Sequence, residues 1–296
     1  VTPALAELRP LLTEVGDAKR VRVAAAPGSL AEQAFGRAWG RLVAGEDPVA
    51  VALSETAAAV ARARLAGIDG AVLRTAGLTD DDALDVLRRG FDEVAGPLDA
   101  GLRARLREAL PLAVPAPEPP PLAALLNRQP RAGATAPGRA RIMVEPPESH
   151  GDHCLTVAVY GVLVAPVFGA DPVPPFLVGL AHHLHNGVLP DAGFAGEVLL
   201  GAALDRVVTA LEERELTALP APLADRLRTA LRLRADAGAP ESQAFHAADV
   251  LDRVLQVHHH ARAAAFTAGQ ALDDLDLVHE GPVQAFHLDV LAAAGL

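Results

Sequence analysis

The chain has 296 residues, is 51% hydrophobic and 21% charged, carries a formal net charge of −11 and contains one cysteine, Cys154. That length and apolar fraction suffice for one large domain or two ordinary ones and exclude disorder throughout, while the lone cysteine excludes a disulfide framework and a cysteine-rich zinc module. The longest apolar run, Leu155 to Ala170, contains Pro166 and is shorter than the roughly 20 residues that span a bilayer. It therefore reads as a buried helix, nothing at the N-terminus reads as a signal peptide, and a cytoplasmic protein without membrane contact is expected.

Residues 1–110 read as helices rich in Ala, Leu and Val. Ser29 followed by Glu32 forms a capping box, Asp47-Pro48 is a helix start, and Thr79 with Asp80, Asp81 and Asp82 puts a cap and an acidic first turn before Leu84, Leu87, Phe91 and Val94. One strand is expected, Val21 to Ala25, without a hairpin signal. This half carries no chemical signature.

Between Pro111 and Pro147 lie 10 of the 24 prolines. Such a segment favours extended polyproline conformations and reads as a linker over 111–147, with room for a short helix at Leu122 to Leu126 and a short strand at Ile142 to Val144. Beyond it, residues 148–296 read as a second helical domain. Helices are expected from His153 to Ala165, from Pro175 to about Gly187, and over Glu197–Glu213, Pro222–Ala235 and Pro240–Thr267. The fold class is all-α: a helical bundle preceded by a smaller helical region and the proline-rich linker.

All 11 histidines lie at or beyond His150, and charge divides in the same way. Residues 1–149 hold 18 Lys/Arg against 19 Asp/Glu, a net of −1, and residues 150–296 hold 8 against 18, a net of −10. Imidazole and carboxylate with few cations suit a metal ion. They do not suit a nucleic acid, whose binding requires phosphate neutralisation.

Three segments combine ligand types with helical placement. His150-Gly151-Asp152-His153 opens an apolar helix, His182-His183-Leu184-His185-Asn186 closes another, and His246, Asp249, Arg253, Gln256 and His260 form one stripe of a long helix whose apolar side is Ala247, Val250, Leu251, Val254 and Val257. His150 reads as a solvated turn residue. His258-His259-His260 point about 100° apart and so cannot share one ion; they read as surface residues. Asp273, Asp274 and Asp276 read as a solvated or capping cluster, and Cys154 as buried rather than nucleophilic.

His153 before Val157-Ala158, His182 after Val178-Gly179-Leu180-Ala181, and Ala247-Ala248-Asp249-Val250-Leu251-Asp252 give residues 148 to 265 a family likeness. The stretch resembles the HD-domain superfamily of metal-dependent phosphohydrolases, all-α bundles named for an adjacent His-Asp pair. The resemblance implies metal ligation by His153, His182 and Asp249, with His183 in the place of the doublet's Asp. That Asp bridges two metals in binuclear members. A neutral imidazole has one free lone pair, so one ion is expected, and mixed imidazole and carboxylate ligation favours Fe, Mn, Ni or Zn over Mg. Asn186 stands where many members have a lysine.

In the loop from Leu189 to Glu197, Asp191 and Glu197 are candidate proton acceptors for a bound water, beside a bland role as caps. Arg226, Arg228, Arg232 and Arg234 are the densest positive group for a phosphate. The expected function is hydrolysis of a small phosphorylated metabolite or nucleotide, with no nucleic-acid or membrane partner. The alternatives are a non-catalytic regulatory or interaction module of the same fold, and an iron oxygenase.

Overall fold

The structure is a computed structural model that describes residues 2–143 and 145–263 together with 284, 285, 288, 289 and 292. The chain divides into two units, Val1–Leu255 and Gln256–Leu296. Asp273, Asp274, Asp276 and the last residues of the expected final helix lie outside the described residues.

The first unit is all-α apart from a two-stranded ribbon. It begins with α1 (Thr2–Gly16), a single 3-10 turn at Asp17–Lys19, and the strands β1 (Arg22–Val23) and β2 (Ala26–Ser29). β1 and β2 pair antiparallel, so the expected strand has a partner that the sequence did not announce. Then follow α2 (Leu30–Val43), α3 (Pro48–Leu65), α4 (Gly70–Thr75), α5 (Asp80–Val94) and α6 (Ala100–Ala109). The caps are those expected: Ser29 and Glu32 form the reciprocal capping box, Asp47 accepts from Val49, and Thr79 accepts from Asp82.

The division expected at 111–147 is corrected. That segment lies within the first unit, and a single core joins Phe35, Trp39 and Phe91 of the N-terminal half to Tyr160 and Phe176 of the C-terminal half. The prolines favour an extended path, and that path is packed rather than free. α7 (Pro121–Arg128) buries Leu122, Ala123 and Leu126, and the Arg131 amide donates to the Glu148 carbonyl at 2.8 Å while the His150 amide donates to Gln129 at 3.0 Å. In place of the expected short strand, Ile142 makes an isolated bridge with Ala134, and Val144 lies outside the described residues.

α8 (His150–Phe168) runs through the centre of the unit. By length and composition it is the one helix among the described residues able to cross a membrane, yet 83% of its apolar window is buried inside the protein, as the core-helix reading requires. Gly169, at φ +69°, ends it in the left-handed conformation that glycine adopts without strain. The chain turns back as α9 (Val173–Ala181), and a Cβ on Gly179 would lie 2.5 Å from the Ala158 backbone, so the two helices can approach this closely only at glycine.

α9 ends at Ala181 rather than running on to Gly187; His183, at φ −117° and ψ 23°, leaves the helix, and a 3-10 turn covers Leu184–Gly187. The expected helix from Glu197 is two, α10 (Gly193–Leu200) and α11 (Leu204–Thr217), separated at Gly201 with φ +50°. α12 (Ala221–Leu233) and α13 (Pro240–Ala263) follow. α13 buries Ala244, Phe245, Ala248 and Asp252, while Val250, Val254 and Val257 are exposed, so the helix is rotated from the face its valines indicate.

Candidate metal centre

Three elements bring the candidate ligands together: the first turn of α8, the break after α9 and the middle of α13. Ser149 caps α8 through the Asp152 amide, which fixes the start of the helix and buries both His150 and His153 with no exposed surface. His153 Nε2 lies 3.1 Å from His182 Nε2 and 3.4 Å from Asp249 Oδ1. The structure therefore joins three of the four expected ligands directly.

The outer nitrogen of each imidazole is already engaged. His153 Nδ1 donates to Asp252 Oδ2 at 2.7 Å, and His182 Nδ1 donates to the Gly179 carbonyl at 2.8 Å. In their neutral forms both rings then present an unprotonated Nε2 to the same point, beside a carboxylate oxygen. One extra proton or one cation resolves that crowd of lone pairs. Ligand atoms about 2.1 Å from a common ion sit about 3.0–3.4 Å apart, and the two separations measured from His153 Nε2 have that spacing. The carboxylate behind His153 is the orienting partner that metal-bound histidines have.

His183 is the fourth expected ligand and completes a group of three imidazoles able to hold an ion with His153 and His182. Its ring lies 4.3 Å from His182 and 5.2 Å from His153, centre to centre. Nδ1 donates to Asn186 Oδ1 at 2.8 Å, and Arg131 Nη1 donates to Nε2 at 2.9 Å. Its lone pair thus faces a guanidinium, and His183 stands at the edge of the centre. Asn186 orients this ring.

Burial lowers the His182 pKa to about 3, further depressed by His153, and burial with neighbouring positive groups holds His183 well below the ordinary imidazole value. Burial alone would raise the Asp249 carboxyl, but its contact with His153 and the charge of Arg253 keep it below the usual carboxylate range. Neutral imidazole and ionised carboxylate are the forms a metal requires.

Sequence reasoning missed four groups. His150, expected in solvent, has no exposed surface, and neither ring nitrogen has a hydrogen-bond partner; burial and the Arg131 charge lower its pKa to about 2. It lies one helical turn before His153, a signal that was available. Asp252, one turn after Asp249, was within the quoted motif. Lys19 and Arg131 come from segments whose sequence gives no sign of proximity.

The remaining candidates are elsewhere. Asp191 is close: Oδ2 accepts from the Ala132 amide at 3.0 Å, Oδ1 accepts from Gly193 at 2.8 Å, and Oδ2 is 3.6 Å from His150 Nε2. Glu197 is exposed on α10 and has no hydrogen bond or ion pair to the cluster. His246 Nε2 donates to the Arg234 carbonyl at 2.8 Å, closing the end of α12 instead of facing the ligands. His258 is exposed. Among the arginines, Arg228 pairs with Glu213 at 2.6 Å, Arg226 and Arg232 are exposed, and Arg234 pairs with Glu212 at 3.0 Å and reaches the His182 carbonyl at 3.4 Å. Cys154 is buried, and burial raises its thiol.

Fold and cluster together define the class: an all-α protein with buried histidine and carboxylate groups that could hold a metal ion. Comparison with family models, curated proteins and solved structures gave no match to this chain.

Proposed function

We propose that the protein is a mononuclear metal-dependent hydrolase of the HD type acting on a small phosphorylated metabolite or nucleotide. One observation carries the reading: His153 Nε2 lies 3.1 Å from His182 Nε2 and 3.4 Å from Asp249 Oδ1, His153, His182 and His183 form a group able to hold an ion, and the other nitrogen of the His153 and His182 rings is tied to a fixed acceptor. These three hold the ion, with His183 at its margin. A cation of the Fe, Mn, Ni or Zn kind supplies Lewis-acid polarisation of a phosphoryl oxygen and acidifies water.

The protein's own residues supply the rest. Arg131, beside His183, is the cation placed to hold a phosphate oxygen, a role given up by Arg226, Arg228 and Arg232. Asp191, held as a carboxylate acceptor by two backbone amides, faces the neutral His150 and is the carboxylate that takes the proton released by attacking water. Glu197, being exposed, has no part in this reading.

A non-catalytic module of the same fold is favoured by one feature, the complete burial of His150 and His153, which restricts access. Metal analysis of protein purified without a His-tag separates the two. Hydrolase function predicts about one ion per chain, falling below about 0.2 in His182→Ala and Asp249→Ala, and Mn- or Fe-dependent release of phosphate from a substrate panel. Metal without turnover selects the module, and no metal in the wild-type protein removes the hydrolase.

A further inference from the structure

We infer that Lys19 is a positioning residue of the centre: acting through Asp252, it sets the tautomer of His153 and so makes the N-terminal half part of the site. The inference rests on the metal-centre reading. Lys19 is the chain's only lysine and lies in the 3-10 turn between α1 and β1. Its side chain is 3% exposed, and its ammonium donates to Asp252 Oδ1 and, at 2.5 Å, to Glu148 Oε1. These partners are 233 and 129 residues away in sequence.

Burying an ammonium so deeply is costly unless it is paired. Here it is shared by two carboxylates, of which Glu148 leads into α8 and Asp252 lies on α13. A compact ammonium with three donors suits a place between two carboxylates better than a planar guanidinium does. With Oδ1 held by Lys19, Oδ2 of Asp252 is the oxygen left for His153, and it accepts the Nδ1 proton at 2.7 Å. That bond fixes the Nδ1–H tautomer and leaves the Nε2 lone pair for the centre. Without Lys19 the carboxylate is no longer aimed, and a ring free to take the Nε2–H tautomer puts a proton where the ion bonds. The helical region that showed no chemistry in its sequence thus supplies an outer group on which the first ligand depends.

The experiment needs no substrate. In metal-free protein labelled with ¹⁵N-histidine, long-range ¹H–¹⁵N correlation reads the His153 tautomer, assigned by its loss in His153→Gln, and Co²⁺ titration followed by visible absorption reads affinity. The expected wild-type result is Nδ1–H. Lys19→Met shifts His153 toward Nε2–H and weakens Co²⁺ binding by about 10–100-fold, and Lys19→Arg recovers most of that loss. Since Lys19→Met leaves two buried carboxylates without a cation, the double variant Lys19→Met/Glu148→Gln is measured beside it, with circular dichroism to confirm folding. An Nε2–H His153 in the wild-type protein overturns the proposal without any variant. So does a folded Lys19→Met or double variant that keeps Nδ1–H and binds Co²⁺ within about twofold of wild type. His182→Ala separates the two readings: if it binds Co²⁺ normally, the centre itself is misread, whereas the His153 tautomer still decides the role of Lys19.

Discussion

Two buried polar clusters occupy the same protein and are built on opposite terms. In the N-terminal half, Arg41 donates to Glu55 at 2.9 Å, to Ser54 at 2.9 Å and to Glu46 at 2.8 Å, while Arg37 grips both oxygens of Glu55 at 3.1 and 2.7 Å. Donors meet acceptors, and the network closes on itself. At the other cluster His153 and His182 face each other with acceptors, and His150 has no partner at either nitrogen. Buried polar groups are normally satisfied. A cluster that holds the fold spends its lone pairs internally, and one that receives a ligand keeps some unspent.

The sharpest way to break this contrast is Glu55→Ala. It removes the carboxylate that Arg37 grips and one of the partners of buried Arg41, which keeps Glu46 and Ser54; loss of one partner from such a network costs about 3–5 kcal/mol, so the melting temperature should fall by about 10 °C. Metal content per folded molecule should not change. A thermal melt showing a loss below about 1 kcal/mol would mean that the closed network carries no more stability than an exposed pair.

Asp152 tests the ground between the clusters. It caps α8, accepts the Ser29 hydroxyl, and is pushed up to about 7 by burial despite those bonds. A carboxyl raised in the folded state contributes stability that is full below its ordinary value near 3.8 and is lost as pH rises through about 7. Asp152→Asn should therefore melt close to wild type at about pH 4 and gain on it up to about pH 7, by about 4 kcal/mol, levelling off above that. A difference that is flat with pH would show that Asp152 is ionised throughout.

The smallest expected effect comes from the unpartnered imidazole. Replacing a buried, unsatisfied polar ring by an apolar side chain removes a desolvation cost, so His150→Leu should stabilise metal-free protein to urea by about 1 kcal/mol. Because burial lowers the His150 pKa from 6.5 to about 2, its neutral form contributes stability that is present above 6.5 and lost as pH falls. The advantage of His150→Leu should widen below pH 6.5. If the variant is instead destabilised at every pH, His150 is held by an interaction that an apolar side chain cannot replace.

Much of the local structure could be read directly. The capping residues Ser29, Asp47, Thr79 and Ser149 each act within one turn, so their signals are local, and they mark true helix starts. The candidate ligands His153, His182 and Asp249 could be picked out because each lies in a helical context that patterned spacing reports, and the structure places the latter two beside His153. His150 and the face of α13 were misjudged for a shared reason. Periodicity gives a helix its stripes, but it does not say which stripe meets the core, and on α13 Asp252 is buried while Val250 and Val254 are in solvent.

The sequence alone determined the all-α class, the concentration of every histidine beyond residue 149 and the order of the three segments that carry the candidate ligands. Those properties follow from composition and short-range spacing. Only the tertiary structure decided that the proline-rich stretch belongs to the packed unit, that Arg131 reaches His183, and that Lys19 reaches Asp252 across 233 residues. Contacts between distant segments depend on how the helices pack against one another, and charge and spacing within any one segment carry no record of that.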